Sequence, residues 1–376
     1  MNRRPIVMYL GGFAKIGGIE AFARDFLLAI APAHPDRELV IWGGRGTGHP
    51  LLNEIAASGA RISRSPWRWG CVWNLPDYLL VPIGLRAVRR AAAVVFKRPP
   101  PLSILRRLRR ASRRTGRRIP FILVTPYRPA EYWGASPNVS ELENFDVITV
   151  QSEEGARDLE RAGYGGRIEN IPYLPPEATA LVDYPSSLGG NVIRLGFLGR
   201  LVAQKNVGYL LEVYHALTQA GAGFQYELHL FGDGAQRKEL ERRCAELALP
   251  GVTFHGEVPR SDVGRVIDFC DLFLNTSVTE GQCLAALEVL GRGRPLVATP
   301  VGALPEVLRQ SELGRLAPLR DARSFAAAVA DLSDSIRRGR TTPKAVVAVF
   351  RERFDYNAIL NRYLDLLGDA GTTPSG

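Results

Sequence analysis

The chain is poor in cysteine, with four in 376 residues, and none of them forms a Cys-x-x-Cys pair. Cys71, Cys244, Cys270 and Cys283 are too dispersed for a zinc site or a disulfide framework, so a reducing cytoplasm is the expected setting. No apolar run approaches the roughly 20 residues of a membrane span. The positive start, Met1 to Pro5, precedes an apolar stretch, Ile6 to Leu10, that is too short for a secretory signal and reads as a first β-strand. There is no internal repeat of the roughly 20–50 residue kind that builds solenoids. Acidic residues are missing altogether between Asp77 and Glu131, where thirteen Lys and Arg accumulate from Arg86 to Arg118. Residues 1–175 hold 26 Lys and Arg against 15 Asp and Glu, the remainder 22 against 23, so the net charge of +10 arises wholly in the first half.

What is present is a globular composition, 46 % apolar, in a chain too long for one ordinary core. Strand and helix patterns alternate. Ile6–Leu10 is a buried strand, a glycine-rich turn (Gly11 to Gly18) leads to a helix over Ile19–Ile30, and Glu38–Trp42 is a second strand. Ala93–Phe96, Ile119–Val124 and Asp146–Val150 follow, the last with a helix after Ser152. A proline-rich stretch, Ile171 to Gly190, separates a second series. That series has strands at Val192–Leu198, Gln225–Phe231, Val252–Phe254, Leu272–Leu274 and Pro295–Thr299, with helices near Val207–Gln219, Ala235–Leu247 and Ser261–Phe269. Alternation of this kind builds parallel sheets covered by helices. The expected fold is α/β, two Rossmann-like domains facing a cleft.

The most informative stretch runs from Thr276 to Glu306. Glu280 sits beside Gly281 in a turn, and Glu288 lies eight positions on in an apolar helical run. A glycine turn opening a helix presents backbone N–H groups to an anion, and a carboxylate further along can accept from hydroxyls. A diphosphate joined to a ribose needs both. Gly199 to Asn206 follows a strand directly and precedes a helix, which places Arg200 and Lys205 at a strand's carboxyl end, where ligands of doubly wound sheets collect. A planar guanidinium and a compact ammonium together neutralise a diphosphate. The plainer readings are solvated loop cations for Arg200 and Lys205, an exposed helix carboxylate for Glu288, and helix-terminus capping for Glu306.

Gly199 to Asn206, the turn Gly232-Asp233-Gly234, Phe254 to Val258, and Glu280 to Glu306 resemble the C-terminal half of the family 4 retaining glycosyltransferases; Gly17-Gly18-Ile19-Glu20 resembles their N-terminal glycine turn. The resemblance implies the GT-B fold, with an acceptor-binding domain over 1–175, a linker over 176–190 and a nucleotide-sugar-binding domain over 191–350. A C-terminal helix over 351–369 would pack back on the first domain. It implies Arg200, Lys205 and Glu280 as catalytic residues. Gly18, Gly199, Asn206, Gly256, Glu257, Val258, Gly281, Gln282, Cys283, Leu284 and Glu288 would bind the donor, Glu288 through the ribose. It also implies transfer with retention, in which the leaving diphosphate takes the acceptor's proton, without a cofactor and without a metal; the chain has no Asp-x-Asp motif.

Two departures from the family pattern stand out. Gln282-Cys283 replaces a small or aromatic residue followed by glycine, with Cys283 either a small filler or a thiol activated at a helix N-terminus. A histidine that many relatives place toward the donor sugar is missing after Leu123-Val124. Thr125, Tyr127 or Arg128 would take its place, which favours a sugar without a 6-hydroxyl.

Pro99 to Arg118 reads as a basic amphipathic helix with Leu102, Leu105 and Leu108 at three-residue spacing. With Trp67, Trp69, Trp73 and Tyr78 upstream, the segment 86–118 suits an anionic membrane surface, and the expected location is the inner face of the cell membrane. The alternative is a solvated helix whose leucines pack on the domain. No nucleic-acid motif accompanies the charge. The acceptor expected is a glycan or a polyprenyl-diphosphate-linked precursor of bacterial surface polysaccharide. A catalytically inactive sugar-nucleotide-binding scaffold and a nucleotide-sugar epimerase of the same fold are the other readings.

Overall fold

The computed structural model describes residues 3–9, 18–34, 37–42, 62–64, 81–97, 99–124, 139–174, 181–185, 191–221 and 223–368. The chain divides into two compact units, 1–174 with 357–376, and 175–356. Thr125, Tyr127 and Arg128 lie outside the described residues, as do Trp67, Trp69, Trp73 and Tyr78.

In the first unit seven strands make one parallel sheet: β1 (Arg3–Tyr9), β2 (Arg37–Trp42), β3 (Ile62–Arg64), β4 (Ala93–Phe96), β5 (Phe121–Val124), β6 (Val147–Val150) and β7 (Arg167–Asn170). Their spatial order is β3-β2-β1-β4-β5-β6-β7. Every residue of β4, β5 and β6 is buried, the continuous apolar signature of strands covered on both faces. The helices are α1 (Gly18–Ala33), α2 (Val81–Arg90), α3 (Leu102–Arg113), α4 (Val139–Leu142) and α5 (Glu153–Arg161). Ser152 caps α5, its Oγ accepting from Gly155 N at 3.0 Å, and Glu153 and Glu154 favour that positive helix end.

The basic segment is shorter as a helix than Pro99–Arg118. It begins after Pro101, because a residue that precedes proline is held away from helical backbone. Its buried residues are Ile104, Leu105, Leu108, Ala111 and Ser112, one face at helical spacing, and the first three join the core with Val94, Phe96 and Leu123. Leu105 and Leu108 therefore pack on the domain, while Leu102 is half-buried at the start of the helix. Arg109 also turns inward, with Nη2 2.6 Å from Asp146 Oδ1 and its guanidinium 4.5 Å from the Phe121 ring centre. Arg106, Arg107, Arg110, Arg113 and Arg114 remain exposed, as do Arg86, Arg89 and Arg90 at the end of α2.

The second unit holds a six-stranded parallel sheet built from β8 (Val192–Leu198), β9 (Gln225–Phe231), β10 (Val252–Gly256), β11 (Leu272–Asn275), β12 (Leu296–Ala298) and β13 (Gly314–Leu316). The order is β10-β9-β8-β11-β12-β13. β8 pairs with β9 from Val192 opposite Gln225 to Leu198 opposite Phe231, and with β11 on its other side. The chain thus runs outward from β8 in one direction and returns to continue in the other. Ligands of doubly wound sheets collect beyond the strand ends at that reversal. Helices α6 (Val207–Gln219), α7 (Arg237–Glu246), α8 (Val263–Phe269), α9 (Leu284–Gly291), α10 (Leu304–Val307), α11 (Ala322–Arg337) and α12 (Pro343–Arg353) complete the unit. Leu210, Val213 and Leu217 of α6 and Phe325, Val329 and Leu332 of α11 bury one face of the sheet against Leu195, Phe197, Leu228 and Leu230.

The segment expected as one helix over 351–369 is two. α12 ends where Phe354 leaves helical backbone, its ring stacked on Phe350 at 5.0 Å. A new helix, α13 (Tyr356–Gly368), then groups with the first unit from Asn357 on. Its Tyr363 ring meets Phe26 of α1 edge-on at 5.1 Å, and the hydroxyl donates to the carbonyls of Ile171 and Pro172 at 3.3 and 3.2 Å.

Candidate functional site

β8 and β11 end side by side, and the loops after them are laced together. Thr276 Oγ1 donates to the carbonyls of Lys205 and Asn206, both at 3.2 Å. Val278 N donates to Gln204 O at 2.9 Å, and Gln204 Nε2 to Thr279 O at 3.1 Å. The loop after β8 ends at Asn206, whose φ of 50° is left-handed, a conformation that asparagine tolerates better than most residues. α6 starts directly behind it.

This lacing brings Lys205 to Glu280. Lys205 Nζ lies 2.5 Å from Glu280 Oε1, with the two side chains 16 % and 6 % exposed. The same carboxylate oxygen accepts from Ser277 Oγ at 2.6 Å and Asn275 Nδ2 at 3.4 Å. Asn275 is held by donating to Cys283 Sγ at 3.1 Å and by accepting from Ser277 N at 3.0 Å. Burial works against the Lys205 ammonium, but the Glu280 carboxylate, through its charge and its hydrogen bond, supports it, and the pKa stands above its ordinary value. Arg200 is exposed on the same loop and opposes that rise by its own charge.

The turn bearing Glu280 is fixed from behind by Gly302. Its φ is +56°, and a Cβ there would lie 2.1 Å from Glu280 O, so only glycine fits without displacing the turn. Ala303 N donates to Gly281 O at 2.9 Å, tying the loop after β12 to that turn.

Cys283 caps α9 with φ 61° and ψ 80°, a left-handed conformation uncommon for a residue with a Cβ. Its thiol is buried, and burial together with the Glu280 charge pushes it up to about 12. A protonated, buried thiol is unreactive, which favours the filler reading over the activated one. α9 begins at Leu284; Ala286 N in its first turn donates to Cys283 O at 2.9 Å, while Leu284 N and Ala285 N precede the first acceptor within the helix. Glu288 stands on the second turn of α9, about 6 Å from its start by helical rise, and pairs with Arg260 Nη1 through Oε1. Arg260 opens a short 3-10 turn, Arg260–Asp262, just after Gly256, Glu257 and Val258 at the end of β10.

Lys205, Asn206, Glu280, Gly281 and Cys283 are thus joined in one network, with Gly199 and Arg200 at its start. Gln282 is buried beside it. Glu288 and Gly256–Val258 form a neighbouring group reached through Arg260. Gly18 is the first residue of α1, in the other unit. Asn275, Ser277 and Arg260 were not singled out from the sequence. The polar run Asn-Thr-Ser closing an otherwise apolar strand is the signal that would have found the first two, since polar atoms at a buried strand end need partners. Among the described residues no group of three or more His, Cys, Asp or Glu is placed to hold a metal.

Residues 193–335 match the family described as "Glycosyl transferases group 1". The amylovoran biosynthesis glycosyltransferase AmsK of Erwinia amylovora is 30 % identical over 148 residues, 38 % of this chain and 36 % of that protein. The 2-deoxystreptamine glucosyltransferase of Streptomyces kanamyceticus is 31 % identical over 43 % of this chain and 40 % of its own length. The match therefore spans less than half the length of these curated relatives. The solved structure of Anabaena Alr3699/HepE in complex with UDP and glucose superimposes with a TM-score of 0.72, covering 97 % of this chain and 100 % of that one at 18 % identity. The fold is GT-B.

Proposed function

We propose that this chain, which carries a group 1 glycosyltransferase segment over residues 193–335, moves a sugar from a nucleotide-diphosphate donor to a glycan of bacterial surface polysaccharide. The observation that supports it most is the Lys205–Glu280 pair at the strand reversal of the second sheet, with Arg200 beside it and the start of α9 next in line. Donor binding follows from the chemistry of those groups. The cations and the N–H groups of α9 face a diphosphate's charge, and Glu288 accepts from the ribose hydroxyls. The name of the HepE structure, which holds UDP and glucose, favours the same ligand class.

As the sugar–phosphate bond breaks, negative charge grows on the leaving oxygen. Preorganised cations in a partly desolvated site stabilise that charge with little reorganisation. Glu280 fixes the Lys205 ammonium through one oxygen, and in this reading its carboxylate also serves the donor sugar. Transfer proceeds with retention, the departing diphosphate taking the acceptor's proton, so no enzymic nucleophile and no metal are needed. The sugar is a hexose or deoxyhexose.

The acceptor is lipid-linked, and the exposed arginines of α2 and α3 hold the protein on the anionic inner face of the membrane. Because Leu105 and Leu108 of α3 are packed in the core, this attachment is chiefly electrostatic, on the order of 1 kcal/mol for each cation near the surface. No helix among the described residues is long and apolar enough to cross a membrane.

Incubating the protein with a panel of nucleotide sugars and a lipid-linked acceptor, then reading the product's anomeric configuration by NMR, tests the reading. An α-donor giving an α-linked product is expected. Inverted product refutes retention. Binding without transfer or hydrolysis supports the inactive scaffold instead, and an isomerised nucleotide sugar the epimerase.

A further inference from the structure

The strongest feature outside the reacting centre is the pairing of Arg260 with Glu288, two residues 28 positions apart on different elements. Arg260 directly follows Pro259, whose backbone (φ −57°, ψ 144°) is extended, and it begins the 3-10 turn leading into α8. Glu288 lies on α9, its side chain 15 % exposed, while Arg260 is 45 % exposed.

This contact is not what holds α8 against α9. That work falls to Arg292 and Asp268, a two-pronged pair in which Arg292 Nε donates to Asp268 Oδ1 at 2.9 Å and Nη2 donates to Oδ2. Gly264 lets the Arg292 guanidinium lie close on α8, since a Cβ there would sit 3.0 Å from Arg292 Nη1. Arg294, fully buried, braces the same region by donating to the carbonyls of Cys270 and Asp268 at 2.8 and 3.2 Å. The α8–α9 interface thus has its own fasteners at the Asp268 end. At the other end Arg260 reaches the Glu288 carboxylate, and a carboxylate already held loses less rotamer freedom on binding a ligand.

We propose that Arg260 is a positioning residue for the nucleoside: it holds the Glu288 carboxylate in the rotamer that accepts from the ribose hydroxyls. This deepens the reading of Glu288 as the ribose ligand and rests on it. A carboxylate offers about four acceptor sites over its two oxygens, so pairing with a guanidinium is compatible with accepting from hydroxyls. Arg260 is two residues past Val258 in the chain, so its pair with Glu288 joins the segment after β10 to α9.

The test measures affinity for UDP, GDP and ADP, and, for the nucleotide bound tightest, for its counterpart lacking both ribose hydroxyls. Four proteins are compared: the parent, Glu288→Gln, Arg260→Gln and, as a control for a purely structural role, Arg292→Gln. Glu288→Gln and Arg260→Gln should each weaken binding of the ribose form about 10-fold and leave the hydroxyl-free form within about 2-fold, the scale of losing a hydrogen bond to a charged group. Arg292→Gln should lower thermal stability while keeping the parent's preference for ribose. If Glu288→Gln loses the preference and Arg260→Gln keeps it, the positioning role is overturned and the ribose role of Glu288 stands. If Glu288→Gln keeps the preference, Glu288 is not the ribose ligand, and both readings fail. Equal loss of preference in Arg292→Gln overturns the positioning role in favour of general support of α9.

Discussion

Lys205 Nζ and Glu280 Oε1 lie 2.5 Å apart although 75 residues separate them in the chain. The two meet beyond the ends of the adjacent strands β8 and β11, at the place where the second sheet reverses its winding. A buried ion pair is a weak source of stability because desolvation opposes the attraction. Its position at the strand reversal, reinforced by Ser277 and Asn275, is what the proposed donor-diphosphate site would use.

Replacing Lys205 by alanine is expected to lower turnover by about 10²-fold or more, the scale of removing one strong transition-state donor. Steady-state kinetics with the preferred donor checks this. Near-parent turnover would remove Lys205 from the catalytic machinery.

The same lysine gives a pH signature in stability. Its folded-state pKa is raised above the ordinary 10.5, so its contribution is complete below that value and is lost as the pH climbs through the higher folded pKa. The stability gap between the parent and Lys205→Met should therefore be constant from neutral pH to about 10 and narrow only above it. Urea denaturation across that range reads the gap, and a gap that closes near neutrality would contradict the pairing.

Cys283 should be silent to thiol reagents in the folded protein, because burial holds its thiol near 12. Mass-spectrometric mapping after iodoacetamide at about pH 8 should find it unmodified in buffer and modified in urea. Its left-handed backbone adds a second expectation. Cys283→Gly relieves about 1 kcal/mol of conformational strain and offsets part of the lost packing, whereas Cys283→Val should destabilise by about 2 kcal/mol or more, as β-branching is poorly tolerated at positive φ. Comparable stabilities for the two variants would contradict that geometry.

The basic face separates by role. Arg109 is paired with Asp146 and stacked on Phe121, so Arg109→Ala should cost about 2–4 kcal/mol of stability in the first unit, since a partly buried carboxylate loses its partner. Reversing the exposed Arg106, Arg107 and Arg110 to glutamate should leave the melting temperature nearly unchanged and abolish sedimentation with anionic vesicles at low salt. Vesicle binding that survives the reversal would move the membrane contact elsewhere.

Much of the second unit was legible because its strands are short apolar runs that end at glycine or polar turns. Val192–Leu198, Val207–Gln219 and Gln225–Phe231 stand at the expected bounds. The edge strands β7 and β13 were not anticipated. Arg-Ile-Glu-Asn and Gly-Arg-Leu carry no apolar run, and it is pairing with β6 and β12 that makes them strands. In α3 the three-residue leucine spacing left a membrane-surface helix and one packed on the domain both open, and the buried face, which includes Ile104 and Ala111, belongs to the core. Local pattern shows that a face is apolar and not what covers it. The neighbourhood of Lys205 and Glu280 follows from strand order, which two separate βα series imply. The contacts of Ser277, Asn275 and Arg260 depend on side-chain direction across 2 to 28 residues, which no local spacing encodes.

The most direct test of a donor-diphosphate site around Lys205 and Glu280 is calorimetric titration with a nucleoside diphosphate and its monophosphate, in the parent and in Lys205→Ala. The parent should bind the diphosphate at least about 10-fold more tightly, and Lys205→Ala should lose most of that preference while still binding the monophosphate. A variant that keeps the full preference, or a parent that shows none, would contradict the site.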